Sequence, residues 1–157
     1  MANYQKLQVG TALNIVKSDN ANIPFPNEIK SGLSGAVSVN QLEDVTGQFI
    51  TRKVQVGDVV VNNSTGVSAT VTRVLDEYNL LINANIFTVS GVSYTLYAQN
   101  GKEGCVLYIG TAGNLRVLTA SGQDVLFSNV LAGTFLPVQV LKVFSTNTTA
   151  ANLVALW

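Results

Sequence analysis

Apolar side chains return at every second position in short runs along the chain, and clusters of glycine, asparagine, serine and aspartate separate the runs. Leu115 and Val117, Val125 and Phe127, and Leu136, Val138 and Val140 alternate in this way, with Gly110, Gly113, Gly122 and Gly133 at the breaks. A period of two bounded by turn residues predicts half-buried antiparallel strands. Near the N-terminus, Leu7, Val9, Leu13 and Ile15 predict one or two more short strands. Leu153, Ala155 and Trp157 predict a last strand, which after the polar turn Thr146–Thr149 is expected to pair back on the run Phe135–Phe144 as a terminal hairpin. Pro137 falls inside that run and has no N–H to give a ladder, so the strand lies at an edge, starts at the proline or carries a bulge.

A separate block lies between these end regions. Gln48–Thr51, Asp58–Asn62, Val67–Leu75, Leu80–Asn83 and Ser93–Tyr97 are strand candidates, divided by turn-forming stretches such as Asn63-Ser-Thr-Gly66 and Asp76-Glu-Tyr-Asn79. Five short antiparallel strands in about 70 residues suit a small closed or half-open barrel better than an open sheet with exposed edges. Ser31-Gly-Leu-Ser-Gly35 and Gln99-Asn-Gly-Lys102 read as linkers or turns at the two ends of the block. The expected organisation is therefore all-β: a discontinuous, jelly-roll-like β-sandwich from residues 1–30 plus 102–157, with a small β-barrel, residues 31–101, inserted into it. Before the insertion, Ile23-Pro-Phe-Pro26 is a stiff extended clip, because proline fixes its own φ and restricts the residue before it. Phe25 is held between the two prolines as a candidate anchor.

Composition changes the picture at the surface. Charged residues are 11% of the 157 and apolar residues 47%, against about 25% charged in an average soluble domain. No uncharged apolar run reaches the roughly 18 residues needed to span a bilayer as a helix, so no membrane partner is expected. Protein is then the expected cover for the apolar excess, and a homo-oligomer is the default. Nine basic side chains balance nine acidic ones, and only Arg52-Lys53 sets two bases side by side. That leaves no footprint for a phosphate backbone, so no nucleic-acid partner is expected.

Candidate chemistry is sparse. The chain has no histidine, which removes Ser-His-Asp and Cys-His catalysis and every zinc motif built on His. The single Cys105 stands in an apolar context and reads as a small core residue. The pairs Glu43-Asp44 and Asp76-Glu77 are adjacent, and neighbouring strand residues point to opposite faces, so neither suits a general acid/base pair. Neither an enzyme nor any cofactor or metal is expected. Met1–Lys6 lacks a basic segment followed by an apolar run, so synthesis in a host cytoplasm is expected. The large aromatics Phe25, Tyr94, Tyr97, Tyr108 and Trp157 are the candidate contact residues, since such side chains anchor interfaces as well as cores.

Two separated pieces carry a likeness to a known family. Lys17-Ser-Asp-Asn-Ala-Asn-Ile-Pro-Phe-Pro26 is the first. The second comprises Leu107-Tyr-Ile-Gly-Thr-Ala-Gly-Asn-Leu-Arg-Val-Leu-Thr119, Gly122-Gln-Asp124, Ala132-Gly-Thr-Phe-Leu-Pro-Val-Gln-Val140 and Thr146 through Trp157. Together they resemble the head spike-base family of tailed bacteriophages and gene transfer agents, small all-β virion proteins in which the two pieces are nearly continuous. The block between them, with Val56-Gly-Asp-Val-Val-Val-Asn62 and Thr65-Gly-Val-Ser-Ala-Thr-Val-Thr72, looks like a segment common in phage structural proteins. The resemblance implies a non-enzymatic protein of the virion surface, a decoration (cement) protein or vertex spike base that bridges capsid subunits. Its partners would be the major capsid protein, further copies of itself and a fibre or spike protein. A tail, neck or baseplate adaptor is the alternative within the virion. A glycan-binding module stacking sugars on Tyr94, Tyr97 or Trp157 is the alternative from another class.

Overall fold

The computed structural model describes residues 10–99 and 103–157. The apolar alternation expected at Leu7 and Val9, and the turn expected at 100–102, lie outside the described residues. Twelve strands make up the fold, and no helix occurs among the described residues. They form two antiparallel six-stranded sheets.

The first sheet draws on both ends of the chain. It contains β1 (Ala12–Asn14), β8 (Cys105–Thr111), β9 (Gly113–Thr119), β10 (Asp124–Val130), β11 (Thr134–Val143) and β12 (Ala151–Leu156), in the order β1-β12-β8-β11-β9-β10. β11 pairs with β8 along its first half and with β9 along its second, with Val140 opposite both Cys105 and Thr119. The sheet therefore folds over along β11, and its two halves enclose a core of Leu107, Ile109, Leu115, Val117, Val140, Leu153 and Ala155. Between Leu136 and Val140 the register with β8 slips, so Pro137 sits at a bulge where no ladder donor is needed. At the corner between β8 and β9 a Cβ on Gly113 would lie 2.5 Å from Ala150 N, so only glycine lets the two strands meet the chain there. The last strand forms as expected, but its partners are β1 and β8. The expected terminal hairpin with β11 is thus wrong: the long-range ladder to β8 buries Leu153 and Ala155 on the core, which outweighs the local turn.

The second sheet is contiguous in sequence. β2 (Glu28–Leu33), β3 (Gln41–Glu43), β4 (Val59–Asn62), β5 (Val67–Val74), β6 (Asn79–Ile82) and β7 (Ser93–Tyr97) assemble in the order β2-β7-β4-β5-β6-β3. It curls around Leu42, Phe49, Val60, Ala69, Val71, Leu80, Tyr94 and Leu96. A single backbone bond, Gly35 N–H to Glu43 O at 2.6 Å, spans the seam where the two edge strands approach, giving a half-barrel. Four of the five strands expected here are present. The fifth, Gln48–Thr51, is a turn: Gln48 and Lys53 have positive φ (53° and 60°), and Arg52 N–H donates to Gln48 O. That turn drives Phe49 into the core as a plug with no exposure. Conversely, Ser31-Gly-Leu33, expected as linker, belongs to β2, so the junction expected at 30/31 falls inside a strand.

The segment joining the lobes is clamped at both sides. Ser18 Oγ accepts the N–H groups of Asn20 and Ala21 and donates to Ser68 O. Asn20 O accepts Thr70 Oγ1 (2.9 Å) and Asn83 Nδ2 (2.7 Å) from the half-barrel. On the other side the Asp19 carboxylate accepts Ser145 Oγ (2.6 Å), Thr146 Oγ1 (2.7 Å) and Thr146 N–H. These bonds hold the Asp19 carboxyl below its ordinary range.

Candidate interaction surface

Strand alternation sends Leu107, Ile109, Leu153 and Ala155 into the first core, and it sends Val106, Tyr108, Val154 and Leu156 to the opposite face. Directly paired residues share a face. The register therefore builds one row from Asn14, Val154, Tyr108 and Phe135, and a second from Ala12, Leu156 and Val106. Tyr108 and Phe135 touch across the strands, ring centroids 5.4 Å apart, and Phe135 is 61% exposed. No Asp, Glu, Lys or Arg stands in either row. An antiparallel sheet that meets water on one side is ordinarily polar there; here the two rows are mostly apolar, with Val106, Tyr108, Val154 and Leu156 partly buried and Phe135 exposed.

The other half of the same sheet behaves differently. Arg116 on β9 makes two hydrogen bonds to Asp124 on β10, at 2.9 and 2.6 Å, and its guanidinium lies 4.3 Å from the centre of the Phe144 ring. This pairing lowers the Asp124 carboxyl below its ordinary value and raises Arg116. The outward side chains here mix the Arg116–Asp124 pair with the apolar Leu118 and Leu126, so the rows free of charge are those on β1, β12, β8 and the start of β11.

The five candidate contact residues scatter over this structure. Tyr108 lies on the apolar face itself. Phe25 and Trp157 meet, as an edge-to-face pair with centroids 5.6 Å apart, so the proline clip and the last residue do pack on one sheet. Trp157 packs half-buried on the first core, and its Nε1 has no acceptor among the described residues. Tyr97 is half-buried and lines a cleft of about 60 Å³ between the lobes, with Leu13, Ile15, Val59 and Val61. Burial, with Glu28 nearby, pushes its phenol up.

Tyr94 must be removed from the list of contact residues. It is fully buried, and its hydroxyl donates to Asp44 Oδ2 at 2.6 Å. Asp44 Oδ1 accepts Thr46 N–H and Oγ1, both at 2.7 Å, and Lys30 Nζ stands 3.9 Å from Oδ2. Burial pushes the Asp44 carboxyl up, but the bonds from Tyr94 and Thr46 and the Lys30 charge outweigh it and hold the group below its ordinary value. Tyr94 is pushed far above the usual phenol value by burial and by the Asp44 carboxylate. The network latches β2, the end of β3 and β7 together at the seam. Gly32 is required there, because a Cβ would collide with the Asp44 carboxylate.

The remaining polar groups singled out in the sequence are structural. Asp76 caps its own turn by accepting Tyr78 N–H and Asn79 Nδ2, and Glu77 accepts Thr51 N–H and Oγ1. Cys105 is buried, its thiol pushed up to about 12 by desolvation, which makes it a poor nucleophile. No group of three or more Cys, Asp or Glu side chains able to hold a metal occurs among the described residues. Phe135, Val106, Val154 and Leu156 are the outward apolar residues that alternation alone missed. Their signal was present as unbroken apolar runs, Cys105 through Ile109 and Leu153 through Leu156, which indicate strands apolar on both faces.

No protein-family model matches the chain, and no curated protein or solved structure matches it significantly. The fold and surface define a class nonetheless: an all-β protein of two lobes, with an apolar sheet face and side-chain networks spent on structure.

Proposed function

We propose that this is a non-enzymatic structural protein of a phage virion, seated on the capsid exterior as a decoration protein or vertex spike base. One observation carries the reading beyond the resemblance itself. The two pieces that resemble the spike-base family lie far apart in sequence, yet their own residues meet: Thr146 Oγ1 donates to Asp19, Lys17 Nζ donates to Ala150 O, and Phe25 packs on Trp157. Such joining is what an uninterrupted ancestral module would need to keep after receiving an insertion in a surface loop. The apolar face is the surface that would lie on the major capsid protein. Bridging neighbouring capsid subunits through apolar and backbone contacts resists internal pressure without chemistry, and the half-barrel is left to face outward or to carry a fibre or spike protein.

The test is electron microscopy of the virion with the protein labelled. Label over the head is the expected result. Label confined to the tail or neck would overturn the head assignment and favour an adaptor.

A further inference from the structure

Two lobes of one chain move relative to each other by default, unless a large apolar interface fixes them. Here the interface is thin. The two sheets share no ladder, and between them lies a cleft of about 60 Å³, walled by Ile15 and Ile23 on one side and by Val59, Val61 and Tyr97 on the other. The chain passes between the lobes twice. Phe25 N–H donates to Ala98 O and Ala98 N–H donates to Asn27 O, so the crossings run side by side as a narrow ribbon.

Away from that ribbon, every hydrogen bond between the lobes among the described residues ends on Ser18 or Asn20. Ser18 Oγ donates to Ser68 O at 3.4 Å, and Asn20 O accepts Thr70 Oγ1 at 2.9 Å and Asn83 Nδ2 at 2.7 Å. The same short segment is tied to the first lobe. Ser18 N–H donates to Val143 O, and the Asp19 carboxylate accepts Ser145 Oγ and Thr146 Oγ1. Neighbouring residues thus reach opposite lobes and form a bracket. Ser68 lines the cleft beside the bracket, and Tyr97 lines it next to the ribbon residue Ala98, so the cleft runs from one attachment to the other.

We infer that the molecule is a bracketed hinge: the half-barrel turns on the ribbon at Asn27 and Ala98, and the bonds at Ser18 and Asn20 hold it closed over the cleft. Hinges are commonly a few residues at the ends of elements, and Asn27 precedes β2 while Ala98 follows β7. The bracket bonds to the half-barrel are neutral, and the two on Asn20 are exposed. Water competes for them, so each has only a modest net worth. Opening parts the apolar walls and uncovers Tyr97, which favours closure without fixing it. With the first sheet seated on a surface, such a hinge presents the half-barrel over a range of angles. The inference does not depend on what that surface is.

Pulsed electron spin resonance on the full chain tests it, with spin labels on Ser121→Cys in the first lobe and Val39→Cys in the half-barrel. Both positions are exposed, and the buried Cys105 does not compete for label. Thr70→Val removes one bracket donor with little change of shape. Asn83→Asp removes the other and keeps the Oδ1 that accepts Thr70 N–H. The protein with its bracket intact is expected to give one narrow distance distribution. In the double variant a second, open population is expected to rise on the order of tenfold, from the loss of two modest hydrogen bonds, while far-UV circular dichroism and Trp157 emission stay unchanged. Identical distributions with and without the two substitutions, whether narrow or broad, would overturn the inference. If the double variant loses its fold, Thr70→Val alone decides: a smaller open population supports the hinge, and an unchanged distribution overturns it.

Discussion

The two lobes are built from similar strands but differ in how the chain supplies them. The half-barrel is contiguous, and its first and last strands, β2 and β7, are neighbours with Glu28 opposite Tyr97. The first sheet needs strands from both ends of the chain, with the half-barrel as the loop between. Closing an unstructured loop of that length costs about 4 kcal/mol on a (3/2)RT ln n estimate. A folded half-barrel holds the loop ends together and removes most of that cost. The half-barrel therefore supports the end-built sheet, and little support flows the other way. The lobes also differ at the surface: the outer face of the end-built sheet sets partly buried apolar side chains in register beside the exposed Phe135, whereas the half-barrel exposes apolar side chains singly, such as Val39, Val45 and Val89.

The strongest way to break this comparison is to empty each core in turn. Phe49→Ala removes the half-barrel plug and should cost about 3–5 kcal/mol. Because the loop ends are then released, it should also lower the unfolding midpoint of the end-built sheet, read by Trp157 fluorescence. Leu107→Ala should cost about 2–5 kcal/mol in the end-built sheet alone, and hydrogen exchange should still find the half-barrel amides protected. Equal loss of protection in both lobes for both variants would remove the asymmetry.

A smaller change sharpens the division at the surface. Phe135→Asp places a carboxylate at the β11 margin of the apolar face, where it is solvated in the free protein. It should leave the thermal midpoint unchanged and, on the proposed capsid reading, weaken attachment by about 2 kcal/mol, the scale of an interface anchor, measured as protein retained on purified particles.

The seam latch gives the next effect. Tyr94→Phe leaves a buried Asp44 oxygen without its donor and should cost about 1–3 kcal/mol. The Asp44 carboxyl is depressed in the folded state, so its contribution is fully present above the unfolded value near 4. It is lost as pH falls through the lower folded value. Acid titration of the half-barrel should therefore show a destabilising step below about pH 4 that Asp44→Asn abolishes. The smallest effect expected is that of Phe25→Ala, about 1 kcal/mol for an edge-to-face pair, with a shift in Trp157 emission.

How much of this was legible in the sequence follows from the range of the forces involved. β4 through β7 and the C-terminal strands show in alternation because each is half-buried along its length. Gln48–Thr51 resembled a strand because Phe49 and Ile50 are apolar, but two positive φ values and an Asx turn set by Asp44 decide its shape. β2 was hidden by Gly32, whose missing Cβ makes room for a carboxylate twelve residues away. Tyr94 looked like a surface aromatic because its partner Asp44 lies fifty residues off. The apolar outer face was not legible, since it depends on which strands become neighbours of β8.

The most direct measurement is hydrogen exchange compared between the free protein and the protein mixed with purified phage capsids, the proposed partner. The account predicts added protection at Val106–Tyr108, Phe135 and Val154–Leu156, with the half-barrel unchanged. Added protection in the half-barrel loops, with those strands exchanging as in the free protein, would contradict it.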